Sequence, residues 1–314
     1  MEVFYYKVEG GNFGDDMNEW FWSSVFPEHS SLSPDTTIFG IGSILWKGNF
    51  DAFPKVLVLG SGMRFGITGH VPESATIGWV RGPRTGKLLN LDSGQAITDP
   101  ACMLSTFAEF SGVPNSGETL LIPHVGTTKL DLDWEKIARN ANTTYLSPAG
   151  EAKEVIRRIA GAKLVVTESL HGAIVADAFR VPWIPIAISP TFTSYKWLDW
   201  TDSMNMSVEF APCLSVAKRI YALQKKVTSF AKGRGPKPGG AQVAGAVEYD
   251  LSGGEKDVAK RIFATFAAPI EGMISSDVKA ALKRSPYLSE DAVLRSRQRS
   301  IARRVEEIRD IYIN

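Results

Sequence analysis

The residues able to do chemistry stand at the ends of short apolar runs. His171 follows Leu164-Val165-Val166 and the polar triplet Thr167-Glu168-Ser169. Leu170, Ile174, Val175 and Ala178 then recur at helical spacing, so a helix opens near His171 or Gly172. A histidine there can make a charged or neutral hydrogen bond, or move a proton near neutral pH. The N–H groups of the first helical turn, from Ser169 and Leu170 onward, attract anions. Gly172 removes a side chain that would crowd a ligand. The same pattern fits a capped helix with an ordinary surface histidine, and this unit alone leaves the two readings open.

Other polar turns repeat the arrangement. GGNFGDD follows the first apolar segment, and Asp15 and Asp16 fit a helix N-cap and first turn. Together with Asn12 they could also hold sugar hydroxyls. Arg81-Gly82-Pro83-Arg84 closes another apolar run, and two arginines at such a turn can fork onto a carboxylate or phosphate. Arg81, directly at the strand end, is the stronger candidate. His124 stands just past Thr119 to Pro123 and is placed to face the same cleft as His171, or to be a plain loop residue. Lys196 can neutralise a carboxylate as a point charge. Trp197 and Trp200 offer faces for a sugar or for the core. Asp99 reads as a helix cap.

The elements that position these residues alternate between strand and helix. Strands are expected at Glu2 to Val8, Thr37 to Gly40, Val56 to Leu59, Thr76 to Val80, Thr119 to Pro123, Thr144 to Leu146, Leu164 to Val166 and Val181 to Ile188. Helices are expected at Met17 to Val25, from GIGSIL onward, at Pro83 to about Leu91, Trp134 to Asn140, Ala149 to Ile159 and Cys213 to Phe230. Such alternation predicts an α/β fold of doubly wound, Rossmann-like domains. The polar stretch Glu109 to Gly117 places a boundary between a domain at 1–112 and one at 113–230. Residues 231–254, rich in Gly and Pro, read as a flexible linker, and 255–314 as a helical tail with patterns at 256–267 and 287–312. Gly60-Ser61-Gly62-Met63-Arg64-Phe65-Gly66 nearly copies a dinucleotide fingerprint. Its third glycine is one place late and no acidic ribose ligand follows, which argues against a nicotinamide enzyme.

Bulk properties narrow the classes. The chain has 314 residues, 44% of them hydrophobic, and a formal net charge of +1, so nothing global points to nucleic acid. Cys102 and Cys213 form no CxxC, and the four histidines show no metal-ligand spacing. No signal peptide or membrane span is visible, so a cytoplasmic protein is expected. The tail helix carries Arg295, Arg297, Arg299, Arg303 and Arg304, which fits either packing against the body or peripheral contact with an anionic inner-membrane surface.

TESLHGAIVADAFRVPWIPI resembles the signature of the polysaccharide pyruvyl transferase family, in particular its bacterial exopolysaccharide branch. Further segments agree in order: GNFGDDMNEWFW at 11–22, FGIGSIL at 39–45, VLGSGMR at 58–64, VRGPRT at 80–85, ITDPACML at 97–104, LIPHV at 121–125 and YKWLDWTDSM at 195–204. The resemblance covers about the first 230 residues. It implies a GT-B-like arrangement of two Rossmann-like domains and transfer of pyruvate from phosphoenolpyruvate to two hydroxyls of a sugar, with no further cofactor and no metal. The implied acceptor is a lipid-linked oligosaccharide or polysaccharide repeat.

On this resemblance His171, Asp15 and Asp16 are the candidate catalytic groups. Arg81, Arg84, Ser169, Leu170, Gly172 and Lys196 would bind the donor, and Asn12 and His124 the acceptor. Two departures stand out. The family commonly has RD where this chain has Arg81-Gly82. It often has Arg where Ser169 stands, so Arg84 or Arg64 would supply that charge. A nucleotide-sugar glycosyltransferase of GT-B type and a non-catalytic sugar-binding component of an assembly complex are the competing readings.

Overall fold

The computed structural model describes residues 2–63, 71–189, 192–212 and 253–313. Among these residues nine strands fall into two wholly parallel sheets. The first holds β1 (Glu2–Phe4), β2 (Thr36–Phe39), β3 (Lys55–Leu59) and β4 (Ala75–Trp79). The second holds β5 (Thr119–Ile122), β6 (Thr144–Tyr145), β7 (Leu164–Thr167), β8 (Trp183–Ala187) and β9 (Ala211–Pro212). The strand-free stretch between β4 and β5 contains the expected boundary at 112/113.

The second sheet runs in the order β6-β5-β7-β8-β9. Its order reverses at β5, which makes it doubly wound, with a ligand crevice expected between the carboxyl ends of β5 and β7. The first sheet runs β1-β2-β3-β4 without reversal, so it is not doubly wound as the sequence suggested. Both of its faces are nevertheless covered. Phe21 and Trp22, from the β1–β2 connection, pack with Ile38, Leu57 and Leu59. Ile44, Leu45 and Phe50, from the β2–β3 connection, pack with Phe39, Val56 and Val58 on the other face. Successive connections thus supply both layers.

Local differences have local causes. The helix expected at Met17 to Val25 is a broken series, Phe13–Asp16, Met17–Glu19 and Phe21–Val25. Phe13, Met17, Phe21, Trp22 and Phe26 are all buried, and packing so many large side chains overrides one helical stripe. GIGSIL is a loop, and a short helix forms only at Lys47–Phe50. The helix expected at Cys213 to Phe230, Arg64 and nearly all of the 231–254 linker lie outside the described residues.

The tail is two helices, Gly253–Ala281 and Asp291–Tyr312. Ile270, Ile274 and Val278 of the first pack on Leu121, Val166 and Ile184 of the second sheet. The intervening Tyr287 pairs its backbone with Trp183 in both directions, at 3.0 and 2.7 Å. The last helix then reaches the first sheet. Its Ile301, Val305 and Ile308 share a core with Leu57 and Trp79, and Tyr312 donates to Thr76 at 2.8 Å. Its apolar stripe is therefore spent on the body, which leaves only its polar face for any membrane contact. On that face Arg295, Arg303, Arg304 and Arg309 pair with Asp291, Glu307 and Glu28. No helix among the described residues is long and apolar enough to cross a membrane.

Candidate functional site

The crevice of the second sheet is built by Glu168 and Thr167. The Glu168 carboxylate accepts the backbone N–H groups of His124, Ile188 and Ser189, and so fastens the ends of β5, β7 and β8 to one another. The Thr167 hydroxyl donates to the Ile122 carbonyl and accepts the Ser169 N–H. The helix Leu170–Ala178 starts from this frame, capped by Ser169, whose Oγ accepts the Gly172 N–H at 3.3 Å. A Cβ on Gly172 would lie 2.6 Å from Thr167 Oγ1. Gly172 therefore makes room for a protein hydroxyl, where the sequence suggested room for a ligand. Leu170 points into the core.

His171 projects from this helix start toward the first unit. The GGNFGDD loop meets it there. A Cβ on Gly14 would sit 2.0 Å from His171 Nδ1, so glycine is the residue that lets the loop reach the imidazole. The loop is docked on the second unit by the Phe13 N–H, which donates to the Pro148 carbonyl at 2.9 Å. Within it, Asn12 Nδ2 donates to Asp15 Oδ2, and the Asn12 N–H donates to Asp16 Oδ2, both at 2.7 Å. Asp16 is thus a loop-closing carboxylate. Asp15 stands against Gly42, near Asp16, Asp99 and Lys196. Burial pushes the Asp15 carboxyl up to about 6.

On its other nitrogen, His171 faces an acid that the sequence marked only as a cap. Asp99 Oδ1 does cap, accepting the Ala101 N–H at 3.0 Å. Its Oδ2 is buried, has no hydrogen-bond partner among the described residues, and lies 3.9 Å from His171 Nε2, which has none among them either. Burial pushes Asp99 up to about 6, against the pull of Arg81. His171 is pushed down to about 3, first by burial and then by the charges of Lys196, Arg81 and His124. The imidazole is therefore neutral while the cleft holds no anion. His124 lies near it, as its place past β5 suggested, with Nδ1 accepting the Gly126 N–H at 3.0 Å.

Arg81 is fully buried, and three of its nitrogens are engaged. Nε donates to Asp199 at 3.3 Å, Nη1 to Ser43 at 2.6 Å and Nη2 to the Met63 carbonyl at 3.0 Å. Asp199 also accepts the N–H and hydroxyl of Thr85. A Cβ on Gly82 would lie 1.9 Å from the Asp199 carbonyl oxygen. Asp199 of the helix Ser194–Ser203 thus supplies, from the other unit, the acid that the Arg81-Gly82 pair lacks. Arg84 pairs with Asp202 of the same helix at 2.7 Å. Lys196, one turn earlier, stands near Asp15 and His171. Trp197 and Trp200 are buried in the core and present no face to a sugar, which corrects the stacking role open to them from sequence. Asp99, Glu168 and Asp199 are the site residues that sequence reasoning missed. Only Asp99 carried a signal, in Asp99-Pro100-Ala101.

A family model described as polysaccharide pyruvyl transferase matches residues 109–190, the segment from β5 through β8. The succinoglycan biosynthesis protein ExoV of Rhizobium meliloti (strain 1021) is 36% identical over 209 residues. That match covers 66% of this chain and 66% of the relative, so the chain spans just under two thirds of the relative's length. No solved structure matches the chain.

Proposed function

We propose that this chain, which belongs to the polysaccharide pyruvyl transferase family, transfers the pyruvyl skeleton of phosphoenolpyruvate to two hydroxyls of a sugar in exopolysaccharide synthesis. The product is a cyclic ketal. The observation that carries the reading is the buried His171–Asp99 pair, set with Asp15 between the cations Arg81 and Lys196 at the crevice of the second sheet.

The reaction makes three demands. A carboxylate and a phosphate must be held, the methylene carbon must gain a proton, and two hydroxyls must lose theirs. Lys196 and the start of the His171 helix meet the donor's negative charge, and Arg81 adds its field from behind. Burial holds His171 neutral first and the cations second; a bound donor offsets the cations, so its pKa rises. One proton reaches the methylene carbon, which becomes a methyl group, and the first hydroxyl bonds to C2. The second hydroxyl then bonds to C2 as the bond from C2 to the phosphate oxygen breaks. The second proton leaves with phosphate. Atoms and charge balance without a further cofactor. Asp15, reached from the loop that carries Asn12, is the base on the acceptor side. GT-B-like closure of the two units over the donor would exclude water from this site.

The test is ligand-induced stabilisation with phosphoenolpyruvate and UDP-sugars in parallel, followed by acceptor-dependent release of phosphate. A ligand at 100 times its Kd stabilises the native state by about 2.7 kcal/mol. Stabilisation by phosphoenolpyruvate that is lost in His171→Ala supports the reading. Stabilisation by UDP-sugars with none by phosphoenolpyruvate overturns it in favour of glycosyl transfer.

A further inference from the structure

We propose that Trp46 and Tyr6 form a stacking platform for a sugar ring of the acceptor glycan, next to the ring that is modified. This rests on the glycan acceptor of the reading above and adds a subsite to it. Trp46 is 53% exposed and Tyr6 42% exposed, and they are two of only five large hydrophobic side chains exposed among the described residues. They are also joined. Trp46 Nε1 donates to the Tyr6 hydroxyl at 2.8 Å, and the buried Asn49 donates to the same oxygen at 2.9 Å. The Trp46 ring lies back over Gly48, where a Cβ would meet it at 2.3 Å. The Tyr6 ring rests edge to face on Phe4, with centroids 5.6 Å apart.

Each ring is therefore held by its edge and from one side while remaining exposed. An exposed aromatic kept rigid in this way loses little conformational entropy when a ligand covers it. It offers an apolar face beside polar groups, the combination that suits a sugar, whose ring has C–H faces and hydroxyl edges. The position fits the acceptor. Tyr6 follows β1 and Trp46 follows β2, at the carboxyl edge of the first sheet, where the Asn12–Asp15 loop also begins. Trp46 is three residues from Ser43, which touches Arg81, so their Cα atoms are no more than about 11 Å apart. Stacking absent from the buried Trp197 and Trp200 is available here.

The experiment is calorimetric titration of the full chain, wild type, Trp46→Ala and Trp46→Phe, with a pyruvate-free oligosaccharide prepared from succinoglycan. Melting temperature with and without phosphoenolpyruvate is measured on the same samples. The expected result is roughly tenfold weaker oligosaccharide binding in Trp46→Ala, about 1.4 kcal/mol. Trp46→Phe retains most of the affinity, and the phosphoenolpyruvate shift is unchanged in both. Equal binding by wild type and Trp46→Ala overturns the platform, as does no binding by wild type. A wild type that binds the oligosaccharide but gives no phosphoenolpyruvate shift sinks pyruvyl transfer, while the tryptophan comparison still decides the platform.

Discussion

Replacing Asp99 with Asn should make the protein more stable and much less active. The carboxylate lies 3.9 Å from His171 Nε2 and is fully buried. When His171 takes a proton during turnover, its attraction to ionised Asp99 at an effective dielectric of 20 is about 4 kcal/mol. That corresponds to about three powers of ten in rate. Arg81 already draws on the Asp99 charge, so a loss of roughly 10²- to 10³-fold in turnover is expected. Asn keeps the oxygen that caps Ala101, and so spares the local fold.

Stability should move the other way, with a definite pH dependence. The Asp99 carboxyl is raised from 3.8 to about 6. Between those values the native state binds more protons than the unfolded chain, so stability falls as pH rises. Above about pH 6 the full cost is present. At 1.36 kcal/mol per unit it is about 3 kcal/mol, of which the still-buried amide of Asn would return about half. Denaturant melts should therefore put Asp99→Asn behind wild type by about 1 kcal/mol near pH 4, where the acid is protonated and only the cost of the buried amide remains. The variant should be ahead by about 1–2 kcal/mol at pH 7.5. Acceptor-dependent phosphate release measures the other half. Unchanged turnover would refute the pairing with His171. Lost turnover with a pH-independent loss of stability would make Asp99 a cap and nothing more.

Gly14→Ala should cost about 10²-fold in turnover, because its Cβ would stand 2.0 Å from His171 Nδ1 and force the ring aside; a crystal structure of the variant would show the displaced imidazole. Arg81→Ala should destabilise by about 3–5 kcal/mol in denaturant melts, since it leaves the buried Asp199 charge without its cation. Arg84→Ala, which breaks an ion pair open to solvent, should cost at most about 1 kcal/mol. His171 should titrate at about 3 in the free protein and move upward when phosphoenolpyruvate binds; an imidazole shift followed by NMR across pH 3–8 checks this, and an unmoved titration would remove His171 from contact with donor charge.

What the sequence made legible was mostly local. Leu164 to Val166, the turn and the apolar periodicity after Leu170 each form the element expected, because one short window holds the whole signal. Asn12, Asp15, His171 and Lys196 come together because each ends or follows an element that points into one cleft. Partners drawn from distant segments were not legible. Arg81 meets Asp199 across 118 residues of chain, and no local pattern says which acid a buried arginine will find. Trp197 and Trp200 have the composition of a sugar platform, yet burial against Trp183 and Phe210 decides otherwise. The order of the first sheet also depends on which face each connection covers, which apolar strands alone do not state.

The site belongs to neither sheet by itself. Asp15 and Asp99 come from the first unit, His171, Lys196 and Asp199 from the second. Their desolvation, which sets the raised acids and the neutral histidine, exists only where the units meet. Buried charges of this kind oppose folding, so something apolar must hold the junction closed. The last helix does this with adjacent residues. Arg297 donates to the Ser203 carbonyl at 2.7 Å, at the end of the helix that carries Lys196 and Asp199. Gln298 donates to the Cys102 carbonyl at 2.9 Å, within the segment that Asp99 caps. Ser203 in turn donates to Thr98, the residue before Asp99, at 2.9 Å. Leu294, Ile301, Val305 and Ile308 supply the burial beneath these bonds. The tail that carried no sequence resemblance thus ties the segment capped by Asp99 to the helix that carries Lys196 and Asp199, the two pieces of chain that flank His171.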